Sequence, residues 1–131
     1  MKRVFLTGAS SGIGLATAQA LLARGDEVWG TSRNPASLLR HERFHPVELD
    51  LAKNDEIEAT FARAVSEAGH FDVHINNAGG GHFGPAELLS PPEIQEQFQV
   101  LFFGHVRLTQ IALAHMRERG QGLIINVTSL Q

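Results

Sequence analysis

The stretch TGASSGIG, residues 7–14, decides the fold. It follows directly on three apolar residues, Val4, Phe5 and Leu6, and opens a run of helical character over residues 12–24. Gly8, Gly12 and Gly14 give it a TGxxxGxG spacing. A pyrophosphate can approach the backbone N–H groups of a helix N-terminus only where side chains are absent, and glycines provide that absence. The same glycines would also make a tight turn without a ligand. The setting between a strand and a helix favours the phosphate-binding reading.

Outward from this turn the chain alternates strand and helix. The first helix presents Ile13, Ala16, Ala20 and Leu21 as its packing residues, and Gly25 stops it. Residues 27–31 (EVWGT) read as a second strand, and Asn34-Pro35 opens a short helix with a cap and an N1 proline. A third strand is read at 45–49 (HPVEL), and residues 55–68 carry Ile57, Phe61, Ala64, Val65 and Ala68 at helical spacing before Gly69. Residues 72–76 (DVHIN) form a fourth strand. Ser90-Pro91-Pro92-Glu93 is a capping box that starts one long helix reaching about Arg119, and 123–127 (LIINV) form a fifth strand. Strand–helix alternation implies parallel strands joined by right-handed crossovers. Apolar runs without alternation imply strands covered on both faces. The expected architecture is an α/β doubly wound, Rossmann-type sheet in the order 3-2-1-4-5.

Composition narrows the function. The 131 residues are enough for one domain core, 43% are hydrophobic, and the net charge is −3. Without a basic excess there is no sign of a nucleic-acid partner or an anionic membrane. With no cysteine, disulfides and thiolate metal sites are excluded. No apolar run approaches the roughly 20 residues of a membrane span. The apolar stretch in MKRVFLTGAS is too short for a signal peptide. A cytoplasmic protein with no membrane partner is the expectation.

Candidate site residues fall at strand ends, where a parallel sheet opens its ligand crevice. Strand two ends in Thr31, Ser32 and Arg33, where an NAD site usually places an acid for the ribose hydroxyl. Asp26 and Glu27 lie at the wrong end of that strand. Arginine with neighbouring hydroxyls suits a 2′-phosphate, so NADP is favoured over NAD; the alternative is a solvated loop charge. Asp50 follows strand three, either as an acceptor for an adenine amino group or as a helix cap. Strand four ends in Asn76, Asn77, Ala78 and Gly79, where asparagines can tie the strand to the first turn and small residues admit a ribose. Strand five ends in Asn126-Val127-Thr128-Ser129, and Ser129 is either a hydroxyl aimed at substrate or a turn residue. No histidine has a convergent carboxylate or further ligand, so no metal site is expected. His82 and Phe83 are candidates to line a substrate pocket.

These motifs, in this order along the whole chain, resemble the short-chain dehydrogenase/reductase family. TGASSGIG looks like its cofactor turn, which assigns Thr7, Gly8, Ser10, Ser11, Gly12, Ile13 and Gly14 to the cofactor. Asp50-Leu51 looks like its adenine contact, and Asn77, Ala78 and Gly79 belong to its NNAG motif. Gly84-Pro85, the long helix and NVTS at 126–129 also fall where the family has them. The resemblance implies hydride transfer between NADP(H) and a small carbonyl or alcohol substrate, with Ser129 hydrogen-bonding the reacting oxygen. It also implies a homodimer or homotetramer through the long helix 91–119. The family's acid/base is the tyrosine of a YxxxK motif, which would lie a short way past Gln131; these 131 residues contain no tyrosine.

The chain is therefore expected to be a single dinucleotide-binding domain, residues 1–131, cut before the tyrosine–lysine segment of a longer polypeptide. Strand five would otherwise be an unpaired apolar edge, unless another chain covers it. A second departure is Leu101, in VLFFG at 100–104, where the family usually has an asparagine supporting a proton relay. Leu101 also belongs to an apolar stripe with Ile94, Phe98, Leu108 and Ala112, which reads as core packing. His105, one turn on, reads as a buried, satisfied histidine or as a substitute in that relay. The absence of YxxxK and the leucine keep a non-catalytic nucleotide-binding or regulatory module as the alternative. A Rossmann methyltransferase explains neither NNAG nor NVTS.

Overall fold

A computed structural model of the protein describes residues 1–79 and 84–128. Five parallel strands, β1 (Arg3–Leu6), β2 (Glu27–Ser32), β3 (Phe44–Glu48), β4 (Val73–Asn76) and β5 (Leu123–Asn126), form one sheet in the order β3-β2-β1-β4-β5, as expected. Alternate side chains of β1 leave on opposite faces. Val4 and Leu6 enter one core with Ala18 and Leu22 of helix α1 (Gly12–Ala23). Phe5 enters the other, with Ile57 and Phe61 of α2 (Asn54–Ala68) and with Leu108 and Ala112 of a later helix. Both faces are covered, which is why β1 carries no polar alternation.

Helix α1 differs from expectation in the face it buries. Gly14, Ala18 and Leu22 are buried, one per turn, whereas Ile13 is 64% exposed and Ala16 and Ala20 face solvent. The cause is Gly14. A Cβ there would lie 1.8 Å from the Gly8 carbonyl oxygen, so the glycine must face the turn and the rotation of the helix follows. Helix α2 packs as its periodicity requires, with Ile57, Phe61, Ala64 and Ala68 buried.

The long helix departs from uniform α-geometry. It runs as α3 (Pro91–Phe98), a π-helical stretch (Gln99–Phe103) and α4 (Gly104–Arg119). Ser90 caps its start by accepting from the Glu93 N–H at 3.3 Å. The wider π turn offsets the residues before it from those after it. Gly104, Leu108, Ala112 and Met116 are buried against the body of the protein. The stripe expected to continue through Ile94, Phe98 and Leu101 does not: Phe98 is 59% and Leu101 44% exposed. Leu101 is thus not a core residue. At the sheet's edge, Leu123 and Ile125 of β5 are exposed.

Candidate functional site

The carboxyl ends of β1, β2, β3 and β4 open on a cleft of about 360 Å³. Nine of the residues singled out from the sequence line it: Gly8, Ser10 and Ser11 from the first turn, Ser32 and Arg33 after β2, Asp50 and Leu51 after β3, and Ala78 and Gly79 after β4. Such convergence of segments far apart in sequence is what a parallel sheet provides at a switch in strand order.

The first turn is braced from two sides, by β2 and by the exit of β4. The Gly8 N–H donates to Thr31 Oγ1 at 3.2 Å, and the Ala9 N–H donates to the Thr31 carbonyl at 2.9 Å. Asn77 Nδ2 donates to the carbonyls of Thr7 and Gly8 at 3.2 and 3.1 Å, so this asparagine does tie β4 to the turn. Gly8 has φ +69°, and a Cβ there would sit 2.6 Å from Ala78 Cα. Gly12 is different: φ is +55°, but a Cβ would meet nothing within 4 Å. Its place is open, at the N-terminus of α1. Ser11 occupies the cap position without a side-chain cap bond, and no acidic residue lies in the first turn. The helix therefore presents free N–H groups and its positive end.

At the far end of the cleft, Ser32 Oγ accepts from the Asn34 N–H at 3.1 Å and lies 3.3 Å from Ser37 Oγ. Arg33 is exposed and makes no ion pair among the described residues. Asp50 is not the cap of α2, whose N-cap is Lys53; its Oδ1 instead accepts from the Ala52 N–H at 2.9 Å and holds the turn after β3. Leu51 is buried, and its carbonyl accepts from Gln99 Nε2 at 3.0 Å, which fastens the π stretch to this wall.

Thr7 is buried below the cleft rather than lining it, and Asn77 shapes the turn through its backbone and side chain. Ser129, His82 and Phe83 lie outside the described residues. Thr31, named with Ser32 and Arg33 at the end of strand two, also lines the cleft, whereas sequence reasoning missed Leu49, although it neighbours Asp50. It also missed Glu96, Gln97 and Val100, which reach the cleft because the long helix passes its mouth. Nothing in their local pattern signals that.

Two histidines stand beneath this region. His74 is buried on β4, stacked on Phe5, with its Nε2 2.7 Å from Asn76 Oδ1. Asn76 Nδ2 donates to Thr109 Oγ1 and to Asn126 Oδ1, both at 2.8 Å, so one polar chain joins β4, α4 and β5. Burial pushes the His74 pKa from 6.5 down to about 4. His105 Nε2 lies 3.1 Å from Thr7 Oγ1, and burial lowers its pKa below the ordinary 6.5. It is half-buried and hydrogen-bonded.

A family model described as short chain dehydrogenase matches residues 2–131. The chain belongs to the short-chain dehydrogenases. It is 38% identical over 127 residues to 3-ketodihydrosphingosine reductase of Bacteroides thetaiotaomicron, covering 97% of this chain and 46% of that protein. Among solved short-chain dehydrogenase relatives, a metagenomic short-chain oxidoreductase in complex with NADP superimposes with a TM-score of 0.91 at 32% identity, over 98% of this chain and 62% of the other. The 3-ketoacyl-(acyl-carrier-protein) reductase of Brucella melitensis, complexed with NADH, gives 0.90 at 31% identity, over 98% and 57%. The chain thus spans about half the length of the reductase from Bacteroides. Among the described residues no helix is long and apolar enough to cross a membrane.

Proposed function

We propose that residues 1–131 are the dinucleotide-binding domain of an NADP-dependent oxidoreductase that interconverts a carbonyl and an alcohol. The observation that carries this reading is the single cleft that gathers the glycine turn, Arg33, Asp50 and Ala78-Gly79. The residues present fit the cofactor. Gly12 leaves open the space a side chain would fill, next to the uncapped N-terminus of α1, where a pyrophosphate would be held. Ser10 and Ser11 add hydroxyls there. Arg33 and Ser32 would take a 2′-phosphate, and no carboxylate ends β2 to repel it. Asp50, with one oxygen engaged by Ala52, has the other for an adenine amino group. Ala78 and Gly79 would pass along a ribose.

When bound, the nicotinamide supplies the hydride donor or acceptor. In this reading Ser129 hydrogen-bonds the reacting oxygen. The relative solved with NADP supports the cofactor class, and the relative solved with NADH shows that the fold accommodates both. The arginine at the end of β2 is what tilts the reading to NADP. The exposed Phe98, Phe102, Phe103, Val106 and Leu113 support assembly of a homodimer or homotetramer through α3 and α4.

Replacing Arg33 with alanine tests the preference. A lost charge-assisted contact to phosphate is worth about 1.5–3 kcal/mol, so NADP⁺ affinity should fall by about ten- to a hundredfold. NAD⁺ affinity should change by less than about twofold, since that contact does not exist for it. Calorimetric titration of both cofactors decides the matter; equal losses would remove Arg33 from the 2′-phosphate site.

A further inference from the structure

We infer that His105 is a positioning residue of the cofactor cleft: as a neutral ring it accepts a hydrogen bond from the Thr7 hydroxyl and so holds the exit turn of β4 against the first glycine turn. The function assigned to this device rests on the cofactor reading above; its geometry does not.

Thr7 Oγ1 accepts from two backbone amides, Asn77 N at 2.9 Å and Ala78 N at 2.8 Å. A hydroxyl has two acceptor lone pairs and one proton. Both lone pairs are used, so the proton must go elsewhere. Two atoms are in reach, the Ile75 carbonyl oxygen at 3.5 Å and His105 Nε2 at 3.1 Å. The Ile75 carbonyl already accepts the Thr7 N–H at 3.1 Å. The shorter, unshared acceptor is the histidine nitrogen. His105 Nε2 therefore accepts, and the ring proton sits on Nδ1, directed at the Leu101 carbonyl 3.5 Å away in the π stretch. One ring thus links β1, the exit of β4 and the π stretch.

A protonated ring cannot make this arrangement. Nε2–H would face an oxygen whose lone pairs are both occupied, and one of the two amide bonds would have to open. The amides at stake belong to the turn that forms one wall of the cleft. Ala78 and Gly79 line the cleft, and Ala78 packs on Gly8 so closely that a Cβ there has no room.

The groups facing His105 are few. From β1 comes the neutral Thr7, and from the π stretch the Leu101 carbonyl. The titratable neighbour on β4 is His74, which stays neutral to about pH 4. Among the described residues no carboxylate or other cation is a cause of its shift; burial is, and it favours the neutral ring.

The test is a pH titration from 8 to 5 of the wild-type protein and of His105→Gln, whose amide oxygen can accept from Thr7 but does not titrate. Ring ¹⁵N signals should show the Nδ1–H form at pH 8. The amide signals of Asn77 and Ala78 should move with the His105 titration in the wild type and hold still in the variant. Over the same range wild-type NADP⁺ affinity should fall by about fivefold more than that of the variant, the equivalent of one amide hydrogen bond. Comparing the two proteins removes the titration of the 2′-phosphate itself. An Nε2–H ring at pH 8, stationary amides, or equal losses of affinity would each overturn the proposal. If neither protein binds NADP⁺ at any pH, the cofactor reading fails, and the ring and amide signals still decide whether His105 positions the turn.

Discussion

Gly14→Ala should cost the protein about 3 kcal/mol of stability or more, while Gly12→Ala, two residues away, should cost only about 1–2 kcal/mol. The added methyl at Gly14 would stand 1.8 Å from the Gly8 oxygen and 2.6 Å from Asn77 Nδ2. Both of those atoms are themselves fixed, since Asn77 Nδ2 donates to the carbonyls of Thr7 and Gly8. The methyl has nowhere to go unless α1 moves off the sheet, which would also expose Ala18 and Leu22. A loss of this size is a large part of the roughly 5–15 kcal/mol that holds a typical domain together. At Gly12 only the backbone conformation resists, because φ is +55° and no atom lies within 4 Å. That methyl would instead stand where the pyrophosphate is proposed to lie. Urea unfolding of both variants should therefore rank Gly14 as the structural glycine, and cofactor titration should show Gly12→Ala folded but unable to bind. The opposite ranking in urea would contradict the packing described for the turn.

The second large effect is a loss of stability on mild acidification, carried by His74. Its pKa in the folded protein is about 4, against 6.5 for a free histidine. The unfolded chain therefore binds a proton between these values that the folded protein refuses. Stability is full above pH 6.5 and falls as pH drops toward 4. By pH 4.5 the loss from this one group should be roughly 2–3 kcal/mol. Burial is the main cause: the ring stacks on Phe5 and meets Phe61 edge-on, with Nδ1 lacking a hydrogen-bond partner among the described residues. The bond to Asn76 works the other way and favours the charged form. His74→Gln keeps a donor for Asn76 without a titrating ring. Its unfolding free energy, measured at pH 7.5 and 4.5, should lack this part of the wild-type decline. An unchanged decline would place the acid sensitivity elsewhere.

Where the sequence could be read, local physics and tertiary need agree. Val4, Phe5 and Leu6 announce a strand covered on both faces, and they divide between two cores. The spacing of Ile57, Phe61, Ala64 and Ala68 predicts the face that α2 buries. The nine lining residues were legible because each sits at a strand's carboxyl end, where topology alone collects them. What stayed hidden depends on contacts between distant segments. Ile13 looks like a packing residue, yet the Gly14–Gly8 contact turns it outward. The stripe through Ile94, Phe98 and Leu101 looks continuous with Leu108, yet a π turn anchored by Gln99 on the Leu51 carbonyl breaks its register. The bond between His105 and Thr7 spans nearly a hundred residues, and no local pattern encodes it.

Amide chemical-shift mapping during an NADP⁺ titration shows whether the cleft at the strand ends holds NADP. Saturable shifts are expected at Gly12 to Gly14, Arg33, Leu51 and Ala78, with weaker binding of NAD⁺ that leaves Arg33 unmoved. Absence of shifts at these residues at millimolar NADP⁺, or shifts confined to residues away from this cleft, would overturn the assignment.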